Sequence, residues 1–142
     1  MVKKTLYLLP KKNMYNRKFY EAIGHAFYAV AHADNKVSKE EFQTLIKIVR
    51  DEWAPLENET DEFGEDIAFQ IVAVFDWLSE NDVKDKEAIH HFKNYVEEHP
   101  KLFHNEKIQK KILSTCEKIA EATHGINKKE NKILKEIKSL IK

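Results

Sequence analysis

Apolar residues recur at intervals of three and four along most of the chain, a spacing that places side chains on one face of an α-helix. This pattern predicts six helices. Their approximate bounds are 15–33, 38–53, a cap at Thr60 or Asp61 through residue 78, 86–98, 105–123 and 127–142. The third helix is apolar nearly all round, so we expect it at the centre of the fold.

The six predicted helices belong to one domain. Residues 1–14 are predicted to form an N-terminal tail, and 15–142 contain no linker or low-complexity stretch. The whole chain has only 3 Gly and 3 Pro, too few for the many tight turns of a sandwich or barrel. We therefore predict an all-α fold, a compact bundle of about six helices.

Two short segments, 31–41 and 120–130, repeat the same pattern: small Ala residues end one helix, and an aliphatic residue, a Ser or Asn and a Glu begin the next. Ser38 with Glu41 predicts a capping box, and Asn127 with Glu130 predicts a second one. A left-handed backbone is tolerated at Asn35 in the first turn. The pattern predicts two helix-turn-helix units related by a pseudo-twofold axis.

Charge is balanced over the chain, with 24 basic and 24 acidic residues, but it is unevenly distributed. Residues 1–20 carry six basic and no acidic side chains, whereas 21–100 carry 7 basic and 19 acidic ones. A zero net charge disfavours a specific nucleic-acid partner. The acidic middle instead favours a cation or a basic protein partner.

The single cysteine, Cys116, excludes an intrachain disulfide and lies on the apolar stripe of the fifth predicted helix, so we expect a buried thiol. The apolar stretch around Leu6 to Leu9 is too short for a transmembrane helix. These features predict a cytoplasmic protein without a transmembrane segment. No phosphate-binding loop, nucleophile elbow or zinc-protease motif occurs, so we expect no enzymatic activity.

The repeated turns resemble those of the TerB-like family of tellurite-resistance proteins, which carry Ala-x-Ala-Asp-Gly-x-Val/Ile-Ser/Asp-x-x-Glu near both ends of an all-helical domain. Asn35 replaces the glycine of the pattern in the first turn, and Thr123 and His124 replace Asp and Gly in the second. The first turn matches at Ala31, Ala33, Asp34, Val37, Ser38 and Glu41, and the second at Ala120, Ala122, Ile126 and Glu130.

The resemblance implies a stress-response function without catalysis, in which acidic turns bind a metal ion or a protein partner. The metal-ligand candidates that it implies are Asp34, Glu41 and Glu130, and the ion would be divalent. A protein partner is also implied, associated with the membrane as in the membrane-linked complexes of the family. Because the second turn lacks the Asp, a symmetric pair of sites is not expected.

Two alternatives remain open. A metal-free helical scaffold would bind a basic protein partner through the acidic middle of the chain. A ferritin-like di-metal protein would use the two Glu-x-x-His motifs, Glu87 with His90 and Glu121 with His124, because this spacing places two ligands on one helical face. Calcium binding in the EF-hand manner is disfavoured because Val30 and His32 would occupy loop positions that require oxygen ligands.

Overall fold

A computed structural model of the chain describes residues 15–54, 67–122 and 127–142. These ranges contain α-helices and short 3-10 and π turns, and no β-strand. The seven helices are α1 (Arg17–Ala31), α2 (Lys39–Ile48), α3 (Gln70–Glu80), α4 (Asp85–Glu98), α5 (Pro100–Phe103), α6 (Glu106–Glu121) and α7 (Lys128–Ile141). The predicted all-α bundle is confirmed.

The one helix that the sequence pattern did not predict is the short α5. Pro100 follows the predicted helix 86–98 and occupies the first turn of α5. Proline is favoured there because its fixed φ suits a helix and its missing N–H would have no partner in the first turn. The buried Phe103 then anchors this turn to the core.

The first helix, α1, lies at the centre of the bundle. Eleven of its 15 residues are buried, and it packs against α3, α4, α6 and α7. Small residues explain the close packing: a Cβ built on Gly24 would lie 3.1 Å from the carbonyl oxygen of Ile71 in α3. Neighbouring helices can therefore approach α1 on several sides.

The expectation that the third predicted helix is central is wrong. The corresponding helix, α3, buries only Ile71, Phe75 and Leu78, and its Trp77 is 60% exposed. Its apolar residues are numerous, but only one face meets α1. The predicted cap at Thr60 or Asp61 lies outside the described residues, which resume in a 3-10 turn at Ile67–Phe69.

The end of α2 is fixed by a buried tryptophan. After Ile48 the chain continues as a π-helical turn, Val49–Trp53, and the Trp53 ring is fully buried. Its Nε1–H donates to Oγ1 of Thr115 in α6 at 3.0 Å, so the indole N–H has a hydrogen-bond acceptor inside the core. Cys116, the next residue of α6, is also buried as predicted, and burial raises the pKa of its thiol.

In the part of the chain that the structure describes, no helix combines the length and the apolar character needed to cross a membrane.

Candidate functional site

The first turn joins α1 to α2 through a 3-10 turn, His32–Asp34, and a left-handed residue, Asn35. Asn35 has φ 70°, and its N–H donates to the carbonyl oxygen of His32 at 2.8 Å. Asn tolerates this conformation better than most residues, so it can occupy the position where the resembling family pattern has a glycine. The reversal leaves the Asp34 side chain exposed at one end of the bundle.

Both predicted capping boxes are present. The Ser38 hydroxyl accepts the N–H of Glu41 at 3.0 Å, and Oε1 of Glu41 accepts the N–H of Ser38 at 2.8 Å. In the second unit, the Asn127 side chain accepts the N–H of Glu130 at 2.8 Å, and Oε1 of Glu130 accepts the N–H of Asn127 at 3.1 Å. The two helix starts therefore repeat each other in detail, and the pseudo-repeat is confirmed at this level.

The connection between α6 and α7 covers residues 123–126, which lie outside the described part of the chain. Thr123 and His124, the two residues at which the second turn departs from the family pattern, fall within it.

The two units meet through a side-chain contact that the sequence analysis did not predict. Nδ2 of Asn127 donates to both carboxylate oxygens of Asp34, at 3.0 Å and 2.8 Å. The cap of α7 is thereby joined to the turn that precedes α2, across 93 residues of sequence. The sequence does carry one indication of this contact. Asn127 aligns with Ser38 in the repeated pattern, and an Asn side chain has an amide donor in addition to the oxygen used for capping.

The three predicted ligand candidates are brought together at this junction. Glu41 and Glu130 are 4% and 3% exposed, whereas Asp34 is exposed. Burial raises the pKa of Glu41, and the negative charges of Glu130 and Asp34 raise it further, while its hydrogen bonds with Ser38 lower it. Glu130 and Asp34 are therefore close enough to Glu41 for their negative charges to act on it.

Negative charge at this junction is not balanced by an ion pair at Asp34 or Glu41 within the described ranges. The salt bridges in these ranges join other residues, and Asp34 accepts hydrogen bonds from the neutral amide of Asn127. We call the set Asp34, Glu41, Asn127 and Glu130 the acidic junction. A cation is the species that its electrostatics favour.

The donor chemistry of the acidic junction suits a hard divalent cation, which takes carboxylate and carbonyl oxygens. The present arrangement is not a ready ligand shell. Among the described residues, no group of three His, Cys, Asp or Glu side chains is placed to hold a metal ion. Oε1 of each glutamate is already used by a capping bond, so a metal ion would draw on the remaining oxygens and on Asp34.

The Glu-x-x-His motifs do not provide ligands to the bundle interior. Glu87 and His90 are both exposed on α4, and Glu121 is exposed at the end of α6. His124, the last member of the pair of motifs, lies outside the described residues.

The sequence analysis also did not predict two long-range contacts made by histidine side chains. Nε2 of His32 lies 3.0 Å from Oδ1 of Asp82, which has a positive φ of 47°, and Nδ1 of the buried His32 has no hydrogen-bond partner among the described residues. On the other side of α1, the His25 ring stacks on the His91 ring with centroids 3.8 Å apart. Each pair joins residues that are at least 50 positions apart in the sequence, and a local sequence pattern does not indicate such contacts.

Comparisons of the chain with family profiles, with curated proteins and with solved structures find no match.

Proposed function

We propose that this chain is a non-enzymatic, cytoplasmic TerB-like domain of a stress response of the tellurite-resistance type, and that its acidic junction binds a divalent cation. The observation that carries the proposal is the convergence of Asp34, Glu41 and Glu130 from two separate turns. These are the positions to which the resemblance assigns ligands.

Electrostatics supply the reason for binding. The negative charges of Glu130 and Asp34 help to raise the pKa of Glu41, so a cation bound among the three carboxylates relieves repulsion as well as gaining attraction. Asp34 is the exposed member and can exchange its bonds with Asn127 for a bond to the ion. The buried glutamates then supply charge at the base of the site, while their capping bonds hold α2 and α7 in place.

The proposal is tested by isothermal titration calorimetry with Ca²⁺, Mg²⁺ and Mn²⁺ on the wild type, Asp34→Asn and Asp76→Asn. Asp76 is the matched control because it is an exposed aspartate on α3 that belongs to no salt bridge among the described residues. We expect one ion per chain for the wild type and for Asp76→Asn, and at least about tenfold weaker binding for Asp34→Asn. Equal binding by all three proteins contradicts an ion at the junction.

A second candidate function is favoured by the absence of a ready three-residue metal group in the described ranges. In this case the domain is a metal-free scaffold, and a Lys or Arg of a protein partner, associated with the membrane, supplies the cation. Asp34 is again the residue most accessible to it.

The two candidate functions predict different effects of a chelator on partner binding. Partner capture by the tagged protein is compared with and without EDTA and at increasing ionic strength. A metal-free scaffold retains its partner in EDTA and loses it as salt rises, because the attraction between exposed charges is screened. Loss of the partner in EDTA alone supports the metal-binding function.

A further inference from the structure

A surface cavity of about 500 Å³ lies beside the N-terminal half of α6. Three lysines of α6 line it: Lys107, Lys110 and Lys111. Because residues three and four apart share one face of a helix, these ammonium groups converge on the same opening. Ser114, one turn further along the same face, adds a hydroxyl group.

Two acidic groups near these lysines form salt bridges, one of them with a lysine of the cavity. Among the described residues, Glu52 is the one acidic residue that lines the cavity, and it pairs with Nζ of Lys118 at 2.8 Å. Glu106 lies 3.7 Å from Lys110. Within the described residues, no carboxylate forms a salt bridge with Lys107 or Lys111. Counted over the described residues, the lining of the cavity therefore carries an excess of positive charge.

The lysine side chains, and not the helix start, provide the donors. Oδ1 of Asn105 already accepts the backbone N–H groups of Lys107 and Ile108, at 2.9 Å and 3.2 Å. The ammonium group of Lys111 also lies 5.6 Å from the centroid of the buried Trp53 ring, within the range of a cation–π interaction.

The remaining wall of the cavity is apolar in part. Ile108 is buried beneath the lysines, and the ring of Tyr15 lies at the edge and packs on Phe19 with ring centroids 4.8 Å apart. A ligand that fits both parts of the cavity has a strongly anionic end and an apolar body.

We propose that this cavity binds a phosphate monoester, with the phosphate at Lys107, Lys110 and Lys111 and its organic group against Tyr15 and Ile108. Three ammonium groups match the charge of a phosphate dianion better than that of a carboxylate, and lysine binds phosphate as a point charge. The site is separate from the acidic junction, since none of its lining residues belongs to that set.

The test uses phenyl phosphate as the probe, with benzoate and inorganic phosphate for comparison, in calorimetric titrations of the full chain. The variant Lys107→Gln/Lys111→Gln removes the two lysines without a carboxylate partner. The control Lys135→Gln/Lys138→Gln removes the same charge from exposed positions of α7 that do not line the cavity. Thermal unfolding of each variant checks that the fold is intact.

We expect phenyl phosphate to bind the wild type and the control equally within about twofold, and the cavity variant at least about tenfold more weakly. Benzoate should bind more weakly than phenyl phosphate, and binding should weaken with salt. An equal loss in the control shows general charge attraction and overturns the proposal.

The phosphate monoester can belong to a soluble metabolite or to a lipid headgroup. Sedimentation with vesicles that contain phosphatidic acid, compared with phosphatidylcholine alone, distinguishes the two sources. Vesicle binding that the cavity variant loses and the control keeps assigns the site to a lipid. Phenyl phosphate binding without vesicle binding assigns it to a soluble ligand. Failure of both probes overturns the proposal, and neither result bears on cation binding at the acidic junction.

Discussion

The stacked histidines between α1 and α4 should make the stability of the bundle depend on pH. His25 is half-buried, and its Nδ1 donates to the carbonyl oxygen of Glu21 at 2.7 Å, because a carbonyl only accepts. Burial lowers the pKa of His25 to about 4, the bond to Glu21 opposes that shift, and the charge of His91 adds to it. The two rings are nearly parallel, with an interplanar angle of 7°.

The sign of the effect follows from proton binding. The pKa of His25 is lower in the folded chain than its ordinary value of 6.5, so the unfolded chain binds the proton first. The contribution of His25 is therefore fully present above pH 6.5 and is lost as the pH falls toward 4. Burial lowers the pKa of His91 as well, although Glu21 and Glu98 raise it and His90 lowers it slightly further.

The contribution of His25 to the free energy of unfolding can be bounded from its pKa. A shift from 6.5 to about 4 corresponds to at most about 3.4 kcal/mol. Because the ring is partly exposed, solvent screening reduces this to about 1 to 2 kcal/mol. For a domain of this size, such a loss lowers the melting temperature by roughly 2 to 8 °C.

The perturbation that isolates this effect is His25→Phe, which keeps an aromatic ring beside His91 and removes the titrating group. Urea unfolding of the wild type and the variant is measured from pH 7.5 to pH 4, with the exposed His104→Gln as the control. We expect the wild type to lose about 1 to 2 kcal/mol more than His25→Phe over this range. A difference between the two proteins that stays constant with pH refutes the reasoning.

Four further substitutions, at three positions, test the packing and the caps by urea unfolding at pH 7. Gly24→Ala gains up to about 1 kcal/mol in helix propensity but places a Cβ 3.1 Å from the Ile71 carbonyl oxygen. We therefore expect a net loss of up to about 2 kcal/mol in unfolding free energy. A variant more stable than the wild type contradicts the close approach of the two helices. Thr115→Val leaves Nε1 of Trp53 without its buried acceptor and should lose about 1 to 3 kcal/mol, whereas an unchanged stability argues against that bond. Glu41→Ala removes the capping acceptor and should lose about 0.5 to 2 kcal/mol of unfolding free energy. Glu41→Gln keeps that acceptor and removes a charge whose pKa is raised, so it should be at least as stable as the wild type. Equal losses in both variants would contradict the electrostatic repulsion at Glu41.

Local features of the fold were predictable from sequence because their partners are close along the chain. The capping boxes of α2 and α7 join residues three apart, and Asn35 has a local reason for its positive φ. The burial of Cys116 follows from its place in the apolar stripe of one helix. In each case, helical spacing alone places the side chain.

The position of each helix in the bundle was less predictable. Apolar content favoured α3 as the central helix, but α1 occupies the centre because small residues such as Gly24 allow close contact. The contact of Asp34 with Asn127, and the pairing of His32 with Asp82, depend on how distant helices pack. Sequence reasoning identified the carboxylates of the acidic junction, but not the amide that joins its two halves.

The most direct test of the acidic junction is a crystal structure of the chain grown with Mn²⁺, with anomalous diffraction recorded to locate the ion. The account predicts one peak at the junction, with oxygens of Asp34 and of Glu41 or Glu130 at about 2.0 to 2.6 Å, and with Asn127 displaced from Asp34. The contradicting result is a junction that keeps both Asn127 bonds and shows no peak at a Mn²⁺ concentration that saturates binding in solution.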